Sequence, residues 1–240
     1  MANPFVQKMS SLVDLTASDV AALEAATSRP RRYGARKDLI REGDETGPML
    51  VVLEGWLCRY KILPNGSRQI MAFLMPGDAC DLHIKMLEEM DHSIQAVAPA
   101  QVATVSRSDM QDMMDKHPNI ARAMYTAQLV DEGIMRAWIV SMGRRGSNER
   151  VAHLICELYL RARNIGLTHD GDFALPMSQI VLADALGMTP VHMNRVLKEL
   201  RLAGAMRLGR GSVTIVDPEK LIQIAGFDAN YLHRRLRQTA

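Results

Sequence analysis

The hydrophobic period of the chain changes at Pro118, and this change constrains the fold more than any other feature. Before it, apolar segments are short, and Gly43, Gly55, Gly66 and Gly77 lie 12, 11 and 11 residues apart. Short strands separated by turns at such spacing are typical of a β-sandwich or β-barrel. After Pro118, apolar residues recur at helical spacing instead. The sequence therefore predicts an α+β chain in which an N-terminal double-stranded β-roll (jelly roll) precedes the helices.

Turn residues divide the β part into strands. Asn65-Gly66 is the strongest hairpin signal, because both residues tolerate the positive φ of a type I′ turn. Gly43-Asp44 and Gly77-Asp78 are interpreted as two equivalent corners. A last strand pair is expected at about residues 93–105.

Helices are expected on both sides of the β part. One is predicted over residues 12–28, with Thr16 as its cap. A longer one follows Pro118, and small and apolar residues recur along it at intervals of 3 and 4, which is typical of a coiled-coil seam. This pattern predicts a homodimer, and the alternative is a helix that packs on its own β domain through Met124, Leu129 and Trp138. The predicted dimerisation residues are Ile120, Ala123, Ala127, Val130, Ile134, Ala137 and Ser141.

A break at Gly143-Arg144-Arg145-Gly146 is interpreted as a hinge, after which Ser147 caps a helix from Glu149 to about Arg163. Residues 143–240 carry 14 Lys+Arg and 9 Asp+Glu, whereas the whole chain has a net charge of only +2. A basic second half indicates binding to a polyanion, and chance drift in surface charge is the alternative. The predicted division is 1–117 for the sensor β-roll, 118–142 for the dimerisation helix, 143–148 for the hinge and 149–240 for the C-terminal domain.

Residues 179–200 carry the signature of a helix-turn-helix. The small Ala183 suits the crossing of two helices, and Gly187 suits a turn with positive φ. Ser178 and Thr189 are expected to cap the two helices. Apolar residues fall on the predicted buried positions Leu182, Leu186, Met188, Met193 and Val196. An ordinary αα corner is the alternative.

The second helix of this motif presents residues that suit the major groove of double-stranded DNA. Arg195 can bind guanine, Asn194 adenine and Val191 a thymine methyl group. Cations farther along suit phosphates. A hairpin around Gly209-Arg210-Gly211 completes a winged helix. The predicted DNA-binding residues are Ser178, Thr189, Pro190, Val191, His192, Asn194, Arg195, Lys198, Arg201 and Arg210.

These features resemble the Crp/Fnr family of bacterial transcription regulators over about residues 12–226. The β-roll glycines, Gly77-Asp78, and the run from Leu182-Ala183 to Arg195-Val196-Leu197 carry the resemblance. It implies a homodimer that binds a palindromic operator, and contact with RNA polymerase if the protein is an activator. Residues 227–240 lie outside the resemblance and include the basic run Arg234-Arg235-Leu236-Arg237.

The effector segment departs from the family. Cyclic-nucleotide binders of the family follow the Gly-Asp corner with Gly-Glu-Leu and later place Arg before Ser or Thr. Here the corner is followed by Ala79-Cys80-Asp81-Leu82, and later by Asp91-His92-Ser93. Without the arginine an anionic ligand lacks its clamp, so cAMP is not expected as the effector. The candidate pocket residues are Cys80, Asp81, His83, His92 and Ser93.

No cofactor is firmly predicted. Residues 1–57 contain no cysteine, which argues against the N-terminal iron–sulfur cluster of the family's oxygen sensors. Cys80 and His83 resemble the ligand placement of the haem-bearing sensors, so haem, a metal ion or a reactive thiol stays open. The effector is otherwise an unidentified small molecule or redox signal.

Two other function classes fit the sequence less well. A cupin-like metal enzyme would need clustered histidines, which His83, His92 and His117 do not supply. A regulatory subunit that does not bind DNA is opposed by the complete winged helix.

No apolar run reaches the roughly 18 residues of a membrane span, and Met1–Phe5 does not begin a signal peptide. Three separated cysteines suit a reducing compartment, so the sequence predicts a cytoplasmic protein. Because the cupin-like alternative lacks its histidines, the predicted protein is not an enzyme.

Overall fold

The computed structural model describes residues 2–80 and 88–233, and the chain divides into two compact units, Met1–Gln128 and Leu129–Ala240. The helices of the described residues are α1 (Pro4–Leu12), α2 (Ala17–Ala26), α3 (Arg107–Lys116), α4 (Pro118–Arg144), α5 (Ser147–Asn164), α6 (Gln179–Leu186), α7 (Pro190–Leu202) and α8 (Pro218–Ala225), with a 3-10 turn at Ala229–Leu232. Their strands are β1 (Arg31–Tyr33), β2 (Asp38–Ile40), β3 (Met49–Glu54), β4 (Leu57–Ile62), β5 (Arg68–Leu74), β6 (Ala79–Cys80), β7 (Ser93–Ala96), β8 (Ala100–Val105), β9 (Thr168–His169), β10 (Asp172–Ala174), β11 (Met206–Leu208) and β12 (Ser212–Ile215). Within the described part of the chain, no helix has the length and apolar character to cross a membrane.

The first unit contains the predicted β-roll. Two four-stranded antiparallel sheets have the orders β1-β8-β3-β6 and β2-β7-β4-β5. Buried apolar side chains from both sheets form one cluster, which includes Val52, Leu57, Leu74, Ile94 and Val102. The sequence expectation of an all-β N-terminal domain is confirmed.

The two Gly-Asp corners are equivalent, as predicted. Gly43 and Gly77 both have positive φ, 86° and 91°. In each corner the Asp carboxylate accepts a hydrogen bond from the backbone N–H three residues earlier, at 2.7 Å for Asp44 and 2.8 Å for Asp78. Asp78 is buried and also pairs with Lys8 Nζ at 2.7 Å, which ties α1 to this corner.

Two turn predictions were wrong in detail. The β4–β5 hairpin forms, but Gly66 has positive φ (82°) and Asn65 does not. The Gly66 N–H donates to Leu63 O, so the loop is a turn followed by a left-handed glycine rather than a type I′ turn. The strands of residues 93–105 also exist, but β7 and β8 pair in different sheets because the short link between them crosses from one sheet to the other.

The helix predicted over residues 12–28 is the shorter α2, with Thr16 as its cap as predicted, whereas α1 was not predicted. The chain leaves α1 at Leu12 and is extended at Val13. Thr16 caps α2 in an extended conformation, because its hydroxyl accepts from the Asp19 N–H while the Asp19 carboxylate accepts from the Thr16 N–H. This reciprocal cap fixes a new helix start, so one continuous helix cannot pass through Thr16.

The predicted dimerisation seam of α4 lies against the chain itself. Ile120 and Ala123 are fully buried in a cluster with Phe5 and Met9. Farther along, Val130, Ile134 and Ser141 are buried, and Ala127 and Ala137 are half-buried. The predicted spacing of the buried residues was correct, but the chain itself, and not a second copy, covers them. A 3-4 spacing indicates a buried face without identifying what covers it.

The opposite face of α4 is exposed and apolar. The exposed fractions are 51% for Tyr125, 56% for Leu129 and 68% for Ile139, and Met135 and Val140 are also exposed. Leu129 therefore does not pack inward as the sequence alternative supposed. Met124 is buried in the cluster with Phe5, as that alternative expects, whereas Trp138 is buried beside Glu157 of α5.

The segment predicted as a hinge is shorter than expected. α4 continues through Gly143 to Arg144, and only Arg145 and Gly146 separate it from α5. The cap of α5 is Gly146, whose N–H donates to the Glu149 carboxylate at 2.8 Å, and not Ser147. Ser147 is the first residue of the helix, so its hydroxyl is available for another contact.

The second unit contains α5 to α8 and a four-stranded antiparallel sheet of order β11-β12-β10-β9. Sequence patterns missed β9 and β10, which are only two and three residues long. α5 packs on α7 and α8. This arrangement places α6 and α7 at the surface on a fixed base.

Candidate nucleic-acid interface

Local signals in the sequence define both helices of the helix-turn-helix. Ser178 Oγ accepts from the Val181 N–H at 3.3 Å, and Thr189 Oγ1 accepts from the His192 N–H at 3.2 Å. Pro190 occupies the first position of α7, where a missing N–H costs nothing. Gly187 ends α6 with φ of 61°, which is the left-handed conformation that the turn requires.

One face of the motif is core, as predicted. Ala183 is buried, which lets the helices approach closely at their crossing. Met188 is only half-buried, because it lies in the turn rather than on a helix. The buried side chains are Leu182, Ala183, Ala185, Leu186, Met193, Val196, Leu197 and Leu200.

The other face of α7 is exposed and mostly polar. Val191 near its N-terminal end is 82% exposed. The remaining exposed members of the predicted set on this helix are Pro190, Asn194, Arg195, Lys198 and Arg201. The structure therefore brings the predicted base-contacting and phosphate-contacting residues onto one surface. His192, also in the predicted set, is half-buried.

A polar network surrounds Arg195. Its Nη2 lies 3.0 Å from His192 Nδ1, and His192 Nε2 lies 2.7 Å from Ser147 Oγ. Glu199 Oε1 lies 3.7 Å from Arg195 Nε, and Asn148 Nδ2 donates to Glu199 Oε2 at 2.9 Å. The sequence analysis did not identify Ser147, Asn148 or Glu199 as parts of the site. The spacing of His192, Arg195 and Glu199 by 3 and 4 could have revealed their common face.

Asn194 and Arg150 make further contacts that hold the motif. The Asn194 side-chain amide donates to Gln179 Oε1 at 2.9 Å, which joins the start of α6 to α7. Arg150 donates to Leu186 O at 2.8 Å and to Met142 O at 3.3 Å. Its guanidinium thus joins the carbonyl ends of α6 and α4, which are the electronegative ends of those helices.

The wing forms as predicted. β11 and β12 pair antiparallel, and the Gly209 N–H donates to Ser212 O at 2.9 Å. Gly211 has a positive φ of 79°, which closes the tight turn. Arg210 at its tip is exposed.

The candidate effector residues are only partly described by the structure. Cys80 is fully buried in the β-roll cluster. Ser93 is buried, and its hydroxyl accepts from the Glu42 N–H at 3.0 Å. His92 Nδ1 lies 2.6 Å from Asp91 Oδ1, which lowers the pKa of Asp91 through that hydrogen bond. Asp81 and His83 lie outside the described residues.

Within residues 2–80 and 88–233, no group of three His, Cys, Asp or Glu side chains is arranged to hold a metal ion. The three cysteines are buried and none of them is in a disulfide, and burial raises the pKa of Cys156 to about 12. The thiolate is the nucleophilic and metal-binding form, so Cys156 is inert at neutral pH.

The two structural units correspond to two known domain families. Residues 30–117 match the cyclic nucleotide-binding domain, and residues 149–224 match the Crp-like helix-turn-helix domain.

Full-length relatives show the same combination. The chain is 28% identical to the nitrogen fixation regulation protein FixK of Bradyrhizobium diazoefficiens over 86% of this chain and 87% of that protein. It is 25% identical to the transcriptional activator protein FnrL of Cereibacter sphaeroides over 83% of this chain and 82% of that protein.

Solved structures agree with this similarity. FixK2 from Bradyrhizobium japonicum superposes with a TM-score of 0.74 at 25% identity, covering 84% of this chain and 98% of that chain. A CooA variant from Carboxydothermus hydrogenoformans shares the fold with a TM-score of 0.68 at 17% identity, covering 89% of this chain and 99% of that chain. With its β-roll, long helix and winged helix in this order, the chain belongs to the Crp/Fnr family and is a DNA-binding transcription regulator, not an enzyme.

Proposed function

We propose that this regulator binds a palindromic operator as a homodimer and recognises each half-site with the exposed face of α7. The observation that carries the proposal is the division of α7 into a buried apolar face and an exposed face that begins at Val191. A recognition helix contacts base edges with the residues of its N-terminal half, which is where Val191, Asn194 and Arg195 lie.

Each exposed residue has a distinct proposed role. Arg195 binds guanine O6 and N7, Asn194 binds adenine, and Val191 contacts a thymine methyl group. Lys198, Arg201 and the wing residue Arg210 bind phosphates. Ser178, Thr189 and Pro190 present the helix N-termini, whose backbone N–H groups and dipole attract phosphate.

The exposed face of α4 provides the proposed dimer contact. Tyr125, Leu129 and Ile139 expose apolar surface on one side of a long helix, opposite the buried seam. A second copy related by a two-fold axis would cover the same residues on both chains, as an isologous interface does. Dimerisation is thus proposed through these residues, and not through Ile134 and the other buried positions.

A cyclic nucleotide is not the proposed effector. His92 stands where the family's binders have an arginine, and the carboxylate of Asp91 lies against its ring. The Ser93 hydroxyl is engaged by the backbone of Glu42. An anionic phosphate would meet a carboxylate there in place of a clamp. Calorimetry with cAMP and cGMP should show no binding below about millimolar concentration, and micromolar binding that strengthens operator affinity would contradict the proposal.

The remaining partners follow from the proposed role. FnrL is named a transcriptional activator, and for this chain we propose RNA polymerase as the protein partner and the bacterial cytoplasm, where the DNA is, as the location. The complete burial of Cys80 argues against a thiol sensor at that residue. The effector is proposed to be another small molecule.

The DNA proposal is tested by comparing two cations of α7. Arg195→Ala should cost about 1–3 kcal/mol per half-site and relax the base preference at one symmetric base pair, because it removes a bidentate base contact. Lys198→Ala should weaken binding to all sequences equally and reduce the slope of log affinity against log salt by about one, because it removes a phosphate contact.

Binding selection from random DNA at several salt concentrations measures both effects, with Arg210→Ala as a second phosphate variant. Half-sites should lie about one helical turn apart, roughly 34 Å. If Arg195→Ala selects the same motif as the unchanged protein, the assigned recognition face is wrong.

A further inference from the structure

A chain of hydrogen bonds links the Arg195 side chain to the start of α5. An arginine guanidinium only donates hydrogen bonds, so His192 Nδ1 must accept from Nη2 across their 3.0 Å separation. His192 is then the neutral tautomer with its proton on Nε2, and this N–H donates to Ser147 Oγ at 2.7 Å. The chain of contacts runs from α7 to the first residue of α5.

A second chain of contacts reaches the same guanidinium. The Glu199 carboxylate lies 3.7 Å from Arg195 Nε, and Asn148 at the start of α5 donates to the other carboxylate oxygen. Both contacts use the Nε and Nη2 side of the guanidinium. Nη1 and the second Nη2 hydrogen are left for a base, and together they form the parallel donor pair that guanine O6 and N7 accept.

Burial alone would not hold Arg195. Its side chain is 65% exposed and Glu199 is 45% exposed. A long exposed arginine samples many rotamers, and ordering it on binding DNA costs affinity. Partners on α7 that are themselves hydrogen-bonded to α5 remove part of this cost before the DNA arrives.

We propose that His192 and Glu199 are positioning residues that hold Arg195 toward the base edge, with Ser147 and Asn148 as their anchors on α5. This inference rests on the proposed role of Arg195 in base recognition. His192 and Glu199 themselves touch no base. Their contribution is to the specificity of binding, and it acts only through Arg195.

Substitutions at His192 test its contact with Arg195. His192→Phe keeps a ring of similar size but cannot accept from Arg195. It should reduce the preference for the base pair that faces Arg195 by about three- to tenfold, while affinity for unrelated DNA stays unchanged. His192→Asn places an acceptor oxygen near the position of Nδ1 and should restore most of that preference. Ser147→Ala should give a smaller loss at the same base pair, because it frees the far side of the ring.

Glu199 has a matched control. Glu199→Gln removes the charge beside Arg195 Nε but keeps an oxygen for Asn148, and it should also lower the preference at this base pair. Glu219→Gln makes the same chemical change at an exposed position of α8 and should leave that preference as it is. Thermal unfolding of each variant checks that the fold is retained.

A double-mutant cycle separates positioning from direct contact. In an Arg195→Ala background, His192→Phe should have no further effect on base preference, since the group on which it acts is absent. If His192→Phe lowers affinity for all sequences equally, alters a different base pair, or acts as strongly without Arg195, the positioning role is overturned while the Arg195 contact stands. If Arg195→Ala itself leaves the selected motif unchanged, the proposed recognition face fails, and the positioning role fails with it.

Discussion

Single residues with distant partners hold the second unit together. The Glu157 carboxylate is completely buried and accepts from Trp138 Nε1 at 3.2 Å on both oxygens and from the Tyr231 hydroxyl at 3.0 Å. Burial raises its pKa, and the nearby Arg161 guanidinium lowers it. Because Trp138 lies on α4 and Tyr231 near the C-terminus, one carboxylate connects three parts of the chain that are far apart in sequence.

His153 gives this cluster a pH dependence. Its ring stacks on Tyr231 at 5.8 Å between centroids, and burial followed by the charge of Arg145 lowers its pKa from 6.5 to about 4. The unfolded chain therefore binds one more proton than the folded chain between these values. The contribution of His153 to the free energy of unfolding should be complete above pH 6.5 and fall toward pH 4, by up to about 1.4 kcal/mol per pH unit.

Denaturation followed by Trp138 fluorescence, in a Trp56→Phe background, measures this slope. His153→Phe should reduce the slope between pH 6.5 and 4, and His169→Gln, which removes an exposed histidine of the same unit, should not. Equal slopes in all three proteins would show that His153 is not the group that titrates.

Residues of this unit also show which contacts can be predicted from the sequence and which cannot. Ser178, Gly187 and Thr189 were identified because their partners lie within a few positions of them. Glu157 and Tyr231 are 74 positions apart, and Arg150 and Leu186 are 36 apart. The hydrophobic period and the cap residues depend only on local geometry. They therefore do not predict a contact between segments that are distant in sequence.

At the scale of elements, the sequence predicts which strands and helices form better than it predicts which strands pair. The β4–β5 hairpin and the wing were predicted because each joins consecutive strands through a glycine turn. β7 and β8 are also consecutive but lie in different sheets, and their Val-Ala-Pro link carries no signal of a sheet change. The order of strands is set by which apolar faces meet in the core, and this is a property of the whole domain.

The predicted end of α4 was wrong for a related reason. Gly143 was interpreted as a helix end, yet α4 passes through it. A glycine weakens a helix by only about 1 kcal/mol. That cost is small enough to be offset by the packing of neighbouring residues such as Trp138, whose indole N–H is bonded to the buried Glu157. A propensity signal of this size predicts a boundary only where tertiary contacts do not oppose it.

At the scale of the whole molecule, α4 has one face covered by its own chain and one face open. This division makes two isoleucines of the same helix a matched pair. Ile134 is 7% exposed and Ile139 is 68% exposed. A new carboxylate at Ile134 would be buried without a partner, whereas at Ile139 it would be solvated in a monomer and buried only in a dimer.

Ile139→Asp should therefore leave a folded monomer, and Ile134→Asp should destabilise the protein by several kcal/mol whatever its oligomeric state. Operator affinity of Ile139→Asp should fall by about 100-fold or more, since two linked half-site contacts become independent. Its affinity for a single half-site should stay unchanged, because α7 and the wing are intact. Sedimentation and thermal unfolding of both variants distinguish the two outcomes. A dimer that persists in Ile139→Asp would place the self-association surface elsewhere on the molecule, and a stable monomer from Ile134→Asp would return it to the buried seam.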